Sequence, residues 1–145
     1  MRVEIKISED IAEPYAVLYA NAMTQELRQV AASIEQRENI ISVTDENERI
    51  VILRPDDIYL IRTEGAKLTI YCAYKSYTSR KRLYELAAQL GGGFMQISKS
   101  AFINLKYIDS VQSCFNSMMK LKLKNGSEEY ISRTYLPAFK KYLGL

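Results

Sequence analysis

The 145-residue chain has no histidine and no tryptophan, and its only cysteines are Cys72 and Cys114. Without histidine, the commonest general base and the Ser–His and Cys–His nucleophile pairs are excluded. The cysteines lack metal-ligand spacing, so we predict two reduced, buried thiols. The run Gly91–Gly93 follows a helical pattern instead of opening one, which is unlike a phosphate-binding loop. We therefore predict that the chain is not an enzyme and uses no cofactor, metal or small-molecule substrate.

Long apolar runs are also missing. No stretch approaches the length of a membrane span, and the first residues lack the apolar core of a signal peptide. We therefore expect a cytoplasmic protein. Hydrophobic residues nevertheless make up 48% of the chain, which is enough for a packed core. The length fits one domain with a small appended element.

Charge is unevenly distributed along the chain. Residues 1–48 carry four basic and ten acidic side chains, whereas residues 49–145 carry sixteen basic and seven acidic ones. A net charge of +9 on the second segment favours association with polyanions, although ordinary solvated lysines would give the same balance.

The sequence of the N-terminal segment predicts a strand followed by a helix. Apolar and polar residues alternate over 2–8, which predicts a half-buried strand. From Pro14, apolar residues recur at three- and four-residue steps, which predicts an amphipathic helix over about residues 14–37. We interpret its apolar stripe as a packing surface or a dimer seam in preference to a signal receiver.

The remaining chain is rich in short strands joined by tight turns. Hairpins are predicted over 40–53, over 58–74 with Gly65 at the bend, and over 119–132 with Asn125–Gly126 as the turn. Other predicted elements are a helix over 79–90 capped by Ser79, strands over 94–97 and 107–115, and a helix over 134–143. This order argues against a doubly wound parallel sheet and predicts an α+β, mostly β fold.

The stretch from Phe94 to Leu105 is the most informative part of the sequence. Apolar positions frame the polar knot Ser98-Lys99-Ser100, which fits a strand that turns and presents one lysine and two hydroxyls outward. Such groups suit phosphate oxygens and base edges. Asn104 lies among apolar residues, so we predict that its amide bonds to turn backbone and holds the knot.

This stretch, together with Ile131-Ser132-Arg133, resembles the LytTR DNA-binding domain over roughly the last two thirds of the chain. In that family an aromatic, a basic-hydroxyl turn and a "V/I-N-L" run follow in order, and a Ser-Arg ends the last strand. The resemblance implies a stand-alone regulator: a leader over residues 1–40 that packs or dimerises, then an elongated antiparallel-sheet DNA-binding domain over 41–145. It also implies that loops, and no recognition helix, read the DNA.

The resemblance places base-reading side chains at the bend with Lys67, at the knot with Ser98 and Lys99, and at Arg133. Many family members have His at the position of Ser98, and Ala66 beside Lys67 has no polar side chain, so we rely most on Lys99 and Arg133. Arginine can bond bidentately to guanine. Three further sets of residues each have a structural alternative. Ser100 and Ser132 contact phosphate or cap turns, and Arg80–Arg82 contact phosphate or form a solvated face. The alternating Lys120, Lys122 and Lys124 form a phosphate track, with Lys122 at its centre, or protect a sheet edge.

The function predicted is sequence-specific binding of double-stranded DNA by a bacterial transcriptional regulator. The resemblance implies direct-repeat promoter sites, two protomers on DNA, and a membrane-protein inhibitor encoded nearby. The alternative is a protein-interaction module of LytTR shape that regulates a partner without tight DNA reading. An RNA-binding sheet is disfavoured because Tyr71 and Tyr74 point to opposite faces.

Overall fold

The computed structural model describes residues 1–35 and 40–145 and divides into two compact units, residues 1–35 and 36–145. Residues 1–35 contain one helix, α1 (Gln25–Ile34), which begins where the Thr24 hydroxyl accepts a hydrogen bond from the Leu27 N–H. The strand predicted over 2–8 is wrong: of the described residues in this unit, none is buried and none belongs to a strand. A strand needs a hydrogen-bonded neighbour, and residues 1–35 supply none.

The helix predicted over 14–37 is shorter than expected. The chain from Pro14 to Ala20 has no regular secondary structure, and α1 occupies only the second half of the predicted range. Residues 36 and 37 of the prediction lie outside the described residues. Residues 15–20 are uniformly apolar, so this half of the predicted range lacks the two-sided pattern of an amphipathic helix.

The second unit is built of two antiparallel sheets and two helices. Its helices are α2 (Leu83–Leu90) and α3 (Leu136–Leu143). Its strands are β1 (Ile41–Thr44), β2 (Ile50–Leu53), β3 (Leu60–Glu64), β4 (Lys67–Tyr71), β5 (Ser76–Ser79), β6 (Phe94–Ser98), β7 (Ala101–Asn104), β8 (Ile108–Ser113), β9 (Met119–Leu123) and β10 (Glu128–Ile131). Short 3-10 turns cover Pro55–Asp57 and Leu105–Tyr107.

The larger sheet has the strand order β2-β1-β5-β4-β3-β7-β6, and the smaller one has the order β10-β9-β8. All pairs are antiparallel, so the predicted α+β, mostly β fold is confirmed. The three predicted hairpins are β1–β2, β3–β4 and β9–β10.

Two hydrophobic clusters lie on opposite faces of the larger sheet. Leu60 in β3 belongs to the cluster that the smaller sheet and α3 cover, with Phe139 of α3 fully buried in it. Its neighbour Ile61 belongs to the cluster under α2, which also contains Leu86. Adjacent strand residues point to opposite faces, so β3 is apolar on both sides and holds the two layers together.

Two of the strands, β5 and β7, were not predicted from the sequence. The polar β5 pairs with β4, and Leu68 lies opposite Ser79. Ser79 therefore ends a strand and does not cap a helix, and α2 begins only after Arg82. The other missed strand, β7, pairs with both β3 and β6. Neither segment shows a periodic pattern strong enough to reveal a strand, because strand pairing in the folded sheet decides its structure.

Candidate nucleic-acid interface

Strand register brings three loops to one end of the second unit. The Thr63 N–H donates to the Ser100 carbonyl at 2.8 Å, which places the β3–β4 turn beside the β6–β7 loop. The Ser132 N–H donates to the Ile97 carbonyl at 2.9 Å, which places the segment after β10 beside that same loop. We name this region, comprising residues 64–67, 98–100 and 132–133, the basic end.

Lys67, Lys99 and Arg133 are all exposed at the basic end. Among the described residues, Lys67 and Lys99 form no ion pair. Their charges are therefore available to an anion from solution. Lys99 lies 32 residues after Lys67 in the sequence, and Arg133 lies 34 residues after Lys99. The sheet register brings these distant positions together.

The knot is a tight loop held by its own serines. The Ser100 N–H donates to the Ser98 hydroxyl at 3.2 Å, and the two hydroxyl oxygens are 3.2 Å apart. A register shift between Gln96 and Ser98 marks a bulge at the end of β6, a device that redirects side chains at a sheet margin. Ser98 is half-buried, whereas Lys99 and Ser100 are exposed.

Arg133 lies in the turn that leads into α3. Its Nε donates to the Asn116 carbonyl at 3.0 Å, so the side chain is anchored to the β8–β9 loop. Guanidinium carries five N–H groups, and this bond uses one, which leaves the Nη groups to face a ligand. The Ser132 carbonyl accepts from the Tyr135 and Leu136 N–H groups, both at 3.0 Å, and so fixes the turn.

Lys122 lies on the outer face of the smaller sheet. Met119, Leu121 and Leu123 are buried, which leaves the alternate lysines on the other side of β9. The edge-protection interpretation of these lysines is wrong, because β9 is the central strand. Lys120 pairs with Glu128 at 2.8 Å, and this hydrogen bond raises the pKa of Lys120 and lowers that of Glu128. Lys122 is exposed, and in register it lies opposite Glu128.

Asn104 lies at the far end of β7 from the knot. Its buried amide donates to the Ile58 carbonyl at 2.9 Å, and its oxygen accepts from the Lys106 N–H at 3.3 Å. The expectation that Asn104 holds the knot is therefore wrong: it fixes the turn before β3. A strand side chain can reach only the loops at its own end, and the sequence does not show which end that is.

Arg62 is a positioning residue that sequence reasoning missed. Its Nε and Nη2 lie 2.6 and 2.5 Å from Oε2 of Glu129, and Nη2 also donates to the Glu128 carbonyl at 3.2 Å. It thereby joins the larger sheet to β10. Its Nη1 lies 3.4 Å from Glu64, whose pKa is lowered chiefly by a hydrogen bond from the Tyr71 hydroxyl. A lone arginine in an apolar strand indicates that the residue has a specific partner. The sequence does not identify that partner, because Glu129 lies 67 residues away.

Arg80 and Lys81 were predicted on a helix but lie in the loop between β5 and α2. With Lys67 they line an open polar groove, to which the carboxylates of Asp45, Glu46, Glu48 and Glu85 also contribute. The charge of this groove is therefore mixed. The acidic side chains offset the charge of Arg80 and Lys81 beside Lys67.

The two cysteines are unpaired, and within the described residues no acidic cluster forms a metal site. Cys72 and Cys114 are free, as expected of reduced thiols, but both are only half-buried, so the prediction that they are buried is wrong. Burial raises the pKa of the Cys72 thiol to about 11. Within residues 1–35 and 40–145 there is no group of His, Cys, Asp or Glu that could hold a metal ion. In the same ranges no helix has the length and apolarity needed to span a bilayer.

Sequence relatives place these features in a family. Residues 48–144 match the LytTr DNA-binding domain family. The sensory transduction protein LytR of Staphylococcus haemolyticus is 29% identical over 77% of this chain and 44% of that protein. The sensory transduction protein LytT of Enterococcus faecalis is 32% identical over 68% of this chain and 41% of that protein. The chain thus spans less than half the length of these two proteins.

A relative of similar length and a solved structure complete the comparison. An uncharacterised HTH-type transcriptional regulator of Staphylococcus aureus is 24% identical over 100% of this chain and 99% of that protein. The LytTr DNA-binding domain of a Bacillus cereus protein, described as a methyl-accepting/DNA response regulator, shares the fold with a TM-score of 0.66 over 73% of this chain and 97% of that domain, at 18% identity. The resemblance seen in the sequence is confirmed: the chain belongs to the LytTr DNA-binding domain family, which binds DNA and is not a family of enzymes.

Proposed function

We propose that this chain is a transcriptional regulator that binds double-stranded DNA sequence-specifically through the basic end. The observation that carries the proposal is the convergence of Lys67, Lys99 and Arg133 at one end of the second unit. Membership of a DNA-binding family and a full-length relative named as a transcriptional regulator support it. A regulator of this kind acts on DNA in the cytoplasm.

In this proposal the three cations read groove edges. Arg133 suits guanine, whose O6 and N7 accept a bidentate pair, and its anchored Nε limits the freedom it loses on binding. Lys67 and Lys99 supply single charges from loops. Ser98, Ser100, Ser132 and Lys122 contact phosphates, which position the protein without specifying sequence.

We also propose that two protomers bind direct-repeat sites and that residues 1–40 join them. Val3, Ile5 and Ile7 are exposed and alternate. An antiparallel pair of these segments centred on Ile5 would place Val3 opposite Ile7 of the second copy and Glu4 opposite Lys6 of the second copy. Apolar and opposite-charge cross-strand pairs stabilise such a ladder. The family resemblance also leads us to propose a membrane protein encoded nearby as the inhibitor of this regulator.

The dimer proposal is tested by light scattering after gel filtration of the full chain. Glu4→Lys should convert dimers to monomers, and Glu4→Lys combined with Lys6→Glu should restore them. A wild-type monomer, or a Glu4→Lys dimer, would show that this segment does not join two copies.

The DNA proposal is tested by selecting bound duplexes from a random library, followed by fluorescence anisotropy on the selected site. Arg133→Ala should weaken binding to the selected site by about 1–3 kcal/mol and leave binding to a scrambled duplex almost unchanged. Lys75→Ala is the matched control, because Lys75 is exposed in the loop after β4, at the opposite end of that strand from Lys67. Removing Lys75 should change neither value beyond a small salt-dependent effect.

Two results would contradict the proposal. Equal enrichment of all duplexes with a steep salt dependence would mean phosphate attraction alone. No binding at low salt would favour the protein-interaction module, with the exposed apolar residues of the leader as its contact surface.

A further inference from the structure

Phe115 projects from the loop that anchors Arg133. The loop of residues 114–118 joins β8 to β9 and is closed by a hydrogen bond from the Cys114 N–H to the Met118 carbonyl at 2.9 Å. The Phe115 side chain is 94% exposed. The next residue, Asn116, supplies the carbonyl that holds the Arg133 guanidinium. An exposed aromatic ring thus lies one residue from the group that fixes the proposed guanine reader.

The loop backbone next to Phe115 is strained. Asn116 and Ser117 both have left-handed backbone angles, with φ of 64° and 59°. Such a conformation is uncommon outside glycine, and two in succession require support from their surroundings. The Arg133 bond to the Asn116 carbonyl is such support. Strain of this kind concentrates where a loop presents a group to a ligand.

Solvent is a poor environment for Phe115. Burying a phenylalanine side chain is favourable, yet Phe115 is not among the side chains packed against the cluster that contains Met119. The ring is left in solvent instead. A ring beside a groove-reading arginine can bury its surface against the bases that the arginine contacts.

We infer that Phe115 is a further DNA contact, which packs against the 5-methyl group of a thymine next to the guanine bound by Arg133. The inference rests on the proposed function of the basic end. Apolar side chains recognise thymine in the major groove through this methyl group. The same ring placed in the minor groove would instead act as a wedge that unstacks a base step and bends the duplex.

The test replaces each thymine of the selected site by uracil, which lacks only the methyl group. In the full wild-type chain, one substitution beside the essential guanine should weaken binding about fourfold, the effect of exposing one methyl group. Phe115→Ala should weaken binding to the thymine duplex by a similar factor and abolish the difference between thymine and uracil. Phe115→Leu should retain part of that difference. Tyr74→Ala is the matched control, because Tyr74 is fully exposed in the loop at the far end of β4, and it should behave as wild type.

Three outcomes would overturn the inference. Uracil sensitivity that persists in Phe115→Ala would mean that another side chain contacts the methyl group. A bend measured by fluorescence transfer that disappears in Phe115→Ala, without uracil sensitivity, would assign a wedge. Unchanged binding of Phe115→Ala with reduced cooperativity between protomers would assign a protein contact. If no duplex is selected at all, the proposed function fails first, so the two failures are distinguishable.

Discussion

Replacing Arg62 by methionine is expected to lower the free energy of unfolding by about 2 kcal/mol. A charged hydrogen-bonded pair contributes about 1.5–3 kcal/mol net. The Arg62 and Glu129 side chains are 31% and 18% exposed, so solvent screening places the value in the lower part of that range. Methionine keeps an apolar stem near the Tyr71 ring, over which the guanidinium lies at 5.3 Å. The decrease in the free energy of unfolding therefore measures the contribution of the guanidinium group.

The measurement is urea unfolding followed by far-ultraviolet circular dichroism, since the chain has no tryptophan. A double-mutant cycle with Glu129→Gln should give a coupling energy of about 1–2 kcal/mol. The control is Arg49→Met, which removes an ion pair whose arginine side chain is 73% exposed and should cost less than about 1 kcal/mol. If Arg62→Met costs no more than the control, or the two substitutions add within about 0.5 kcal/mol, then the cores alone hold the sheets together.

Three further predictions concern buried and titrating groups. Asn104→Ala should lower the free energy of unfolding by about 2–4 kcal/mol, because the Ile58 carbonyl loses a partner in a buried site and the Lys106 N–H loses one in a part-buried site. A loss below about 1 kcal/mol in the same urea experiment would show that water replaces the amide. The pKa of Glu64 is lowered in the folded chain, so its carboxylate stabilises the fold at pH values above its ordinary pKa of 4.5, and this stability is lost as the pH falls through the lower folded pKa. The difference in free energy of unfolding between wild type and Tyr71→Phe should therefore be largest at neutral pH and shrink on acidification. A constant difference across urea titrations at several pH values would contradict this. The pKa of Cys72 is raised to about 11, so iodoacetamide at pH 8 should modify the Cys72 thiol far more slowly in the folded chain than in the urea-unfolded chain. Peptide mass spectrometry measures the two rates. Equal rates would mean that the thiol is open to solvent.

Local patterns in the sequence determined the hairpins. Asn125–Gly126 fixes the β9–β10 turn, where Gly126 has φ of 88°, a conformation that glycine adopts without strain. The Glu64–Lys67 turn and the short Phe94–Ser98 strand follow from comparably local signals. Turn residues and apolar alternation act over a few residues, so they predict a hairpin even when the rest of the fold is unknown.

The leader shows where such patterns fail. Residues 2–8 alternate as a strand does, yet a strand forms only when a neighbour accepts and donates its backbone hydrogen bonds. Conversely, β5 has little apolar alternation and is a strand because β4 and β1 pair with it. Pairing partners lie far away in sequence, so periodicity alone cannot decide either case.

The sequence by itself determined that this chain has no catalytic histidine, that its second segment is basic, and that the knot and Ser132-Arg133 carry a family signature. Tertiary structure alone decided that Lys67, Lys99 and Arg133 share one end, that Asn104 fixes the turn before β3, and that Arg62 joins the two sheets. The physical reason is register: composition and turn signals are local, whereas a one-residue slip in strand pairing would send each side chain to the other face.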